Sequence, residues 1–246
     1  MEIDSFSIYQ GDCLSLLRDI PGSFVDAVVA DSPYCSGGIS PASRRADPAD
    51  KYQATGTVRK YPPMLGDNRD QRGFLAWATL WLTESLRVAK DGAPLLLFSD
   101  WRQLPVMSDA LQASGWLWSG LAVWNKRSSR PRMGFFRPQC EYILTASKGP
   151  FIPAHNICFP GVFDIPVNTH EKVHITSKPV ALLRELLAVT PDNALILDPF
   201  LGGGTTAVAA IQTGRRCLGL ELSAEYAAIA KERCLEACRE AGKKEL

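Results

Sequence analysis

The residues best suited to chemistry in this 246-residue chain form two short groups, one near each end. The first is Asp31-Ser32-Pro33-Tyr34, and the second is the glycine-rich segment 198–206, DPFLGGGTT. Glycines at a turn let the backbone approach a ligand where a Cβ would clash, and a helix after the turn offers unpaired N–H groups. Glu221 ends the next apolar run, where a carboxylate suits a ribose diol. This pattern predicts a nucleoside-binding turn, and a tight turn without a ligand is the less favoured interpretation.

The position of the glycine-rich segment predicts the order of the fold. Only residues 222–246 follow Glu221, and they have the pattern of one helix. Because a doubly wound sheet needs several more strands, upstream segments must supply them. We therefore predict a single α/β domain with a mostly parallel, doubly wound sheet whose nucleoside-binding half comes last. Gly202, Gly204 and Ala207 also fit the dinucleotide pattern G-x-G-x-x-A, but an NAD-dependent oxidoreductase would normally open with this unit.

Three acids follow predicted strands. Asp12, Asp31 and Glu221 each come after an apolar run, and ligands of open α/β sheets bind beyond the carboxyl ends of the strands. One such acid could be a solvated cap, but three acids with a glycine-rich turn predict one pocket. Lys178 precedes a predicted helix, whose N-terminus attracts anions. We expect Lys178 either to face solvent or to hold the carboxylate of a ligand.

The composition predicts a globular protein of a reducing compartment. Hydrophobic residues make up 46% of the chain and the formal net charge is +1, so any nucleic-acid surface must be a local patch. The seven cysteines include no C-x-x-C pair, which disfavours disulfides and zinc and favours a cytoplasmic location. His170 and His174 lack a third ligand, so we expect no metal. The sequence shows neither a signal peptide nor an apolar run long enough to span a membrane, so no membrane partner is expected.

A basic segment, residues 125–139, lies between two predicted strands that are candidates for antiparallel partners. It holds five basic residues and no acid, together with Phe135 and Phe136. A solvated hairpin is the ordinary interpretation of a charge run. Cations for phosphates and aromatic rings for bases nevertheless favour contact with a nucleic acid.

In this order, the segments resemble the S-adenosylmethionine-dependent DNA amino-methyltransferases in their permuted arrangement, with the catalytic tetrapeptide before the cofactor loop. Residues 31–34 resemble the D-P-P-Y box of that family, and Phe200, Gly202 and Gly204 match its F-x-G-x-G loop. Residues 176–179 resemble the segment that contacts the methionine end of the cofactor. The resemblance covers nearly the whole chain and implies a circularly permuted, Rossmann-like methyltransferase fold.

The resemblance also implies one methyltransferase domain, residues 1–246, that uses S-adenosylmethionine without a metal, releases S-adenosylhomocysteine and acts on a base flipped out of double-stranded DNA. The implied catalytic residues are Asp31, Ser32, Pro33 and Tyr34. The implied cofactor contacts are Asp12, Asp31, Lys178, Asp198, Phe200, Gly202, Gly203, Gly204, Thr205 and Glu221. The predicted DNA contacts are Arg44, Arg45, Lys126, Arg127, Arg130, Arg132, Phe135, Phe136 and Arg137.

Two long segments lack a helical or strand period and fall outside these motifs. Residues 39–70 are predicted to be a mobile or DNA-contacting loop, since structureless segments of this length are usually lids or binding loops. Residues 149–173 are a candidate target-recognition insert. Residues 67–77, with Asp100 and Trp101, also resemble methylases carried by phages and prophages.

The target base and the partners stay open at this point. Ser32 stands where the family usually has Pro, which removes a fixed φ. Boxes with Asp first favour adenine N6 and boxes with Ser favour cytosine N4, so adenine is favoured ahead of cytosine. Methylation of RNA and a non-catalytic module that binds DNA or cofactor are further alternatives. The sequence specifies neither a homodimer nor a restriction endonuclease partner.

Overall fold

The computed structural model describes residues 3–34, 69–127, 133–167 and 178–242. The strands in these ranges are β1 Phe6–Gln10, β2 Ala27–Ala30, β3 Pro94–Ser99, β4 Leu117–Asn125, β5 Cys140–Ser147, β6 Val162–Asp164, β7 Leu195–Asp198 and β8 Arg216–Glu221. The helices are α1 Cys13–Asp19, α2 Gln71–Val88, α3 Leu104–Ala113, α4 Val180–Leu187, α5 Thr205–Gln212 and α6 Ala224–Glu240. Outside the described residues lie the predicted DNA contacts Arg44, Arg45, Arg130 and Arg132, most of segment 39–70 and the end of segment 149–173.

The eight strands form one mixed sheet in the order β1-β8-β7-β2-β3-β5-β4-β6. All four residues of β2 are buried, and they alternate between the two faces as a pleated strand requires. Val28 packs in the core with α1, α2 and α3, whereas Val29 packs in the core with α4, α5 and α6. None of the helices in the described ranges is both long and apolar enough to cross a membrane. With helices on both faces, the predicted doubly wound α/β architecture is confirmed.

The directions of the strands decide which loops meet. The neighbours β1, β8, β7, β2 and β3 are all parallel, so their carboxyl ends lie at one edge of the sheet, here called the carboxyl edge. β5 runs antiparallel to both β3 and β4, as predicted for the pair β4 and β5. The start of β5 therefore lies at the carboxyl edge with the ends of β4 and β6. β2 pairs directly with β7, which places segments 31–34 and 198–206 side by side.

Segment 149–173 differs from the prediction that it lacks regular structure. Its residues Val162–Asp164 form β6, which pairs in parallel with β4 and becomes the last strand of the sheet. Phe163 points into the core, while Val162 is exposed. Three residues are too few to show a period in the sequence, because strand alternation needs about four to eight residues to be recognised.

Candidate active site

The glycine-rich loop joins β7 to α5 at the carboxyl edge, and its shape depends on positive φ angles. Gly202 has a φ of +53°, and Gly204, which precedes α5, has a φ of +82°. A Cβ at Gly204 would lie 2.9 Å from the Cβ of Ala230 on α6. Gly204 is therefore needed both for the left-handed backbone and for the close approach of α6. A Cβ at Gly202 would come no nearer than 4.0 Å to another residue, so this side of the loop is open.

Glu221, at the end of β8, holds the loop in place. Its Oε2 accepts a hydrogen bond from the N–H of Gly202 at 2.7 Å, and its Oε1 accepts one from the N–H of Ser223 at 2.7 Å. A carboxylate has about four acceptor positions, so Glu221 keeps acceptor capacity beyond these two hydrogen bonds. Burial raises the pKa of Glu221 although backbone N–H groups oppose the rise. Asp12 lies beyond the end of the neighbouring strand, where it caps α1.

Asp198 is an almost fully buried acid at the start of the loop. Its Oδ1 accepts a hydrogen bond from the N–H of Phe200 at 2.9 Å. Burial raises the pKa of Asp198 to about 7, and the Thr206 hydroxyl and the Phe200 N–H oppose the rise. The carboxylates of Asp31 and Glu221 add to it. Asp198 is therefore close to half protonated at neutral pH.

Phe200 anchors the loop in the core. Its ring lies 4.9 Å from that of Trp81, edge on, and 5.5 Å from that of Trp77, which are favourable distances for aromatic pairs. The next side chain, Leu201, occupies the space that a Cβ at Gly219 would need. Phe200 and Leu201 thus pack the loop against the protein core, and the glycines form its open side.

The tetrapeptide 31–34 follows β2, beside the glycine-rich loop. Oδ1 of Asp31 accepts a hydrogen bond from the hydroxyl of Tyr34 at 2.7 Å, and Oδ2 accepts one from Nζ of Lys178 at 2.5 Å. Burial, followed by the Asp31 carboxylate, raises the pKa of Tyr34, so the phenol stays protonated and donates. Ser32 is buried, and its Oγ has no hydrogen-bond partner among the described residues. Both oxygens of Asp31 are therefore held by side chains of the protein.

Gln103, which sequence reasoning missed, ties the end of the tetrapeptide to the neighbouring strand. Its Nε2 donates to the carbonyl of Tyr34 at 2.6 Å, and its N–H donates to Oδ1 of Asp100 at 2.9 Å. Gln103 is fully buried. A glutamine between a strand and a helix is common, so its residue type does not mark it as a site residue. Only the adjacency of β2 and β3 shows that it reaches Tyr34.

Four side chains of alternating charge form a continuous series of ion pairs, here called the charge chain: Asp31, Lys178, Glu141 and Lys126. The Lys178 ammonium lies 2.5 Å from Asp31 and 3.4 Å from Oε2 of Glu141, whose Oε1 accepts a hydrogen bond from Lys126 at 3.0 Å. Burial lowers the pKa of Lys178, but the two carboxylates outweigh burial and raise it overall. Burial likewise raises the pKa of Glu141, but the two lysines outweigh burial and lower it overall. Both buried groups are therefore charged at neutral pH.

The burial of Lys178 excludes one of the two arrangements that the sequence allowed for it. Lys178 is only 8% exposed, so the alternative in which it faces solvent is wrong. An ammonium has three N–H donors. One of them donates to Asp31, and Glu141 lies within ion-pair distance at 3.4 Å, so the ammonium keeps at least one further donor.

Two of the predicted DNA contacts are paired with acids of the protein. Lys126 belongs to the charge chain, where it contacts Glu141. Arg127 makes a two-pronged ion pair with Asp164, at the end of β6, at 2.7 and 2.8 Å. Both partners of this second pair are more than half exposed, so water screens the interaction. Lys126 is thus partly buried at the outer end of the charge chain, whereas Arg127 is exposed at the surface.

The remaining described residues of segment 125–139 present apolar groups at the carboxyl edge. Phe135 and Phe136 are 64% and 84% exposed, and their rings lie 5.4 Å apart in an edge-on arrangement. Met133 and Arg137 are exposed as well. The prediction of nucleic-acid contact was based partly on these two rings. They are exposed and lie at the same edge of the sheet as Asp31.

Comparisons with known proteins identify the family to which this arrangement belongs. The profile of the N6/N4 DNA methylase family matches residues 25–165 and 155–232. The Escherichia coli (strain K12) protein YubD, which is named as a methylase, is 31% identical over 219 residues, covering 88% of this chain and 85% of YubD. Among solved structures, TTHA0409 of Thermus thermophilus, named as a DNA modification methylase and crystallised with S-adenosyl-L-methionine, has a TM-score of 0.67 and 22% identity, covering 96% of both chains.

A second solved structure agrees in fold. The cytosine-N4-specific PvuII DNA methyltransferase has a TM-score of 0.69 and 15% identity, covering 98% of this chain and 92% of its own. At these identities, the solved structures support the fold alone. The family profile, however, spans most of the chain, and YubD matches most of its length. The chain therefore belongs to the N6/N4 DNA methylase family and is a DNA methyltransferase.

Proposed function

We propose that this enzyme moves a methyl group from S-adenosylmethionine to the exocyclic amine of a base flipped out of double-stranded DNA, with adenine N6 as the favoured target. One observation carries the proposal: the Asp31 tetrapeptide and the glycine-rich loop follow adjacent parallel strands, because β2 pairs with β7. An acceptor for an amine and a seat for a nucleoside thus lie side by side. Positioning of this kind supplies much of the rate in reactions that need a near-attack geometry.

The cofactor half offers groups that fit S-adenosylmethionine, the molecule with which TTHA0409 was crystallised. The loop is open at Gly202, Glu221 has two acceptor positions left for ribose hydroxyls, and Asp12 lies at the next strand end for the adenine. The third N–H of Lys178 suits the methionine carboxylate. The remaining predicted contacts shape the loop: Asp198, Phe200, Gly203, Gly204 and Thr205. When bound, the cofactor supplies the methyl group on a sulfonium and leaves as S-adenosylhomocysteine.

The catalytic half orients the amine. Oδ1 of Asp31 and the backbone carbonyl of Ser32 accept its two hydrogens, and its lone pair then points at the methyl carbon. For this to happen, the hydroxyl of Tyr34 must leave Oδ1, and the same movement frees its ring to stack on the base. The nitrogen–carbon bond forms as the carbon–sulfur bond breaks, and the surplus amine proton passes to solvent. The Asp31 carboxylate stabilises the positive charge that develops on the nitrogen.

The choice of base rests on the tetrapeptide. Asp31 in the first position favours adenine, and cytosine N4 is the alternative, since Ser32 follows and the PvuII enzyme has a similar fold. RNA is a weaker candidate, and so is a non-catalytic module, because the charge chain holds Asp31 in position for chemistry. The predicted DNA contacts are kept as proposals: Lys126, Arg127, Phe135, Phe136 and Arg137 among the described residues, and Arg44, Arg45, Arg130 and Arg132 outside them. Action on cellular DNA implies a cytoplasmic location, and the scheme requires no metal.

Transfer of radiolabel tests the proposal directly. Purified protein is incubated with tritiated S-adenosylmethionine and either duplex DNA, single-stranded DNA or RNA, and the product is digested to nucleosides. We expect label in duplex DNA as N6-methyldeoxyadenosine. N4-methyldeoxycytidine would select the cytosine alternative, and label in RNA alone would contradict the DNA assignment. Binding of DNA without any label would select the non-catalytic module.

The role of Asp31 is tested with the same assay. Asp31→Ala removes the acceptor for the amine, so we expect methyl transfer to fall by at least about 10³-fold, the size of losing a principal electrostatic group. Affinity for S-adenosylmethionine should stay within a few-fold of wild type, as measured by calorimetry. A variant that methylates DNA at near wild-type rate would show that the assignment is wrong.

A further inference from the structure

Glu141 belongs to neither of the two motifs, yet it lies at the carboxyl edge beside Lys178. It is the second residue of β5 and reaches this edge only because β5 runs antiparallel to β3. Its side chain is 15% exposed, and that of Lys178 beside it is 6% exposed. Ions withdrawn from water to this degree cost several kcal/mol unless they are paired. The pairing therefore determines how Lys178 can be arranged.

The position of Glu141 limits how Lys178 can bind Asp31. Lys178 contacts Oδ2 of Asp31 on one side and Oε2 of Glu141 on the other. Oδ1 of Asp31, the other oxygen, is contacted by the Tyr34 hydroxyl. Without the second anion, the ammonium would be free to move between both oxygens of Asp31. It would then compete for the oxygen that must receive the amine of the base.

Lys126 completes the arrangement from the far side. Its ammonium contacts Oε1 of Glu141, so Glu141 is held between two cations and directs only Oε2 at Lys178. This hydrogen bond orients the carboxylate of Glu141, so that Oε2 lies 3.4 Å from the Lys178 ammonium and attracts it electrostatically.

We propose that Glu141 is a positioning residue for methyl transfer, whose carboxylate holds the Lys178 ammonium on Oδ2 of Asp31 and so keeps Oδ1 for the amine of the target base. The inference rests on the proposed function, because it assigns a task to Asp31. It differs from a purely structural role in what it predicts. The rate of transfer should change far more than the affinity for S-adenosylmethionine, which Lys178 is also proposed to contact, and the effect should depend on Lys178.

The experiment measures single-turnover methyl transfer at saturating tritiated S-adenosylmethionine on long duplex DNA that lacks methylation. Glu141→Gln keeps the shape and removes the charge, and we expect a rate lower by about 10- to 100-fold, the scale of a small misplacement of reacting groups. Affinity for S-adenosylmethionine, from calorimetry, should stay within about threefold. Glu141→Asp keeps the charge and should recover part of the rate.

Coupling to Lys178 is the decisive readout. Lys178→Met alone should lower the rate, and adding Glu141→Gln to it should lower the rate by less than about threefold more, because the two residues act as one unit. Asp26→Asn is the matched control. Asp26 pairs with Lys90 at 2.6 Å at the opposite edge of the sheet, so its loss should cost stability without changing the rate.

Each result separates this inference from the proposed function. A Glu141→Gln rate within about threefold of wild type, or effects of Glu141 and Lys178 that multiply, would overturn the positioning role. If Glu141→Gln does not fold, Glu141→Met, which also removes the charge at similar volume, takes its place, and a rate within about threefold of wild type would overturn the role equally. If Asp31→Ala keeps the wild-type rate, or wild type methylates no DNA, the proposed function fails first and this inference with it.

Discussion

The proposed cofactor half of the carboxyl edge (residues 198–206 and Glu221) and the proposed catalytic half (residues 31–34 and the charge chain) are stabilised by different kinds of contact. Apart from the packing of Phe200 against Trp77 and Trp81, the glycine-rich loop is fixed by partners close in sequence. Glu221 bonds Gly202 across 19 residues, and the guanidinium of Arg233 donates to the carbonyl of Gly203 across 30. The catalytic tetrapeptide is fixed from far away. Lys178 bonds Asp31 across 147 residues.

The two halves also differ in the kind of group that holds them. In the cofactor half, the side chains of Glu221 and Arg233 bond backbone groups of the loop. The buried acid Asp198 has no lysine partner among the described residues. In the catalytic half, the acids Asp31 and Glu141 are paired with lysines. We therefore expect the cofactor half to respond to backbone changes and to pH, and the catalytic half to respond to the loss of single side chains.

The largest expected effect concerns Asp198. An unfolded Asp titrates near pH 4, whereas the pKa of Asp198 in the folded protein is about 7. Between these values the folded state binds more protons, so its stability falls as the pH rises. From pH 5 to pH 8, wild type should lose about 2–3 kcal/mol more than Asp198→Asn. Chemical denaturation at both pH values measures this, and equal losses would remove the contrast between the halves.

A backbone change in the cofactor half should come next in size. Gly204→Ala forces a Cβ against Ala230 at a φ of +82°. Gly214→Ala is the matched control, since Gly214 has a φ of +74° with no other residue within 4 Å of the added Cβ. Both variants suffer the cost of a left-handed Ala, but only Gly204→Ala overpacks, so its melting should show about 1–3 kcal/mol more destabilisation. It should also weaken S-adenosylmethionine binding, which the control should not. Equal destabilisation of the two variants would mean that α6 shifts to accommodate the added Cβ.

In the catalytic half, Gln103→Met removes the donor to the Tyr34 carbonyl at nearly unchanged volume. The end of the tetrapeptide should then loosen, and single-turnover methyl transfer should fall about tenfold with unchanged cofactor affinity. Gln112→Met is the control, because the Gln112 amide donates to Ser108 on the exposed side of α3. If cofactor affinity falls with the rate, the two halves are not separable in this way.

The smallest effect is expected for Tyr34→Phe. The change removes the hydroxyl that contacts Asp31 and keeps the ring that is proposed to stack on the base. The rate should stay within about threefold of wild type, because a hydrogen bond that must break before catalysis contributes little to it. Tyr34→Ala should lower the rate far more. If Phe and Ala are equally slow, the hydroxyl rather than the ring is the functional group.

The contrast between the halves also explains how far the sequence could predict the structure. Strands and helices with a clear period were found, and the glycine-rich turn with Glu221 could be recognised because its parts are close together along the chain. The partners of Asp31 could not all be found in this way. Glu141 becomes a site residue only through the antiparallel direction of β5, and Gln103 only through the pairing of β2 with β3. The roles assigned to the individual cofactor and DNA contacts stay predictions, as does the likeness to phage methylases.

The antiparallel run of β5 has a consequence for exchanging specificity between relatives. β4 ends just before Lys126 and β5 begins just before Glu141, so both ends of the connecting segment carry residues of the charge chain. A graft that replaces residues 128–139 would change the segment that is proposed to contact DNA while keeping both the lysine and the glutamate. A wider graft that also replaces Lys126 and Glu141 would import a foreign charge balance into the pocket. The ion pairs of Lys126 and Glu141 thus determine how much of this segment can be exchanged between relatives.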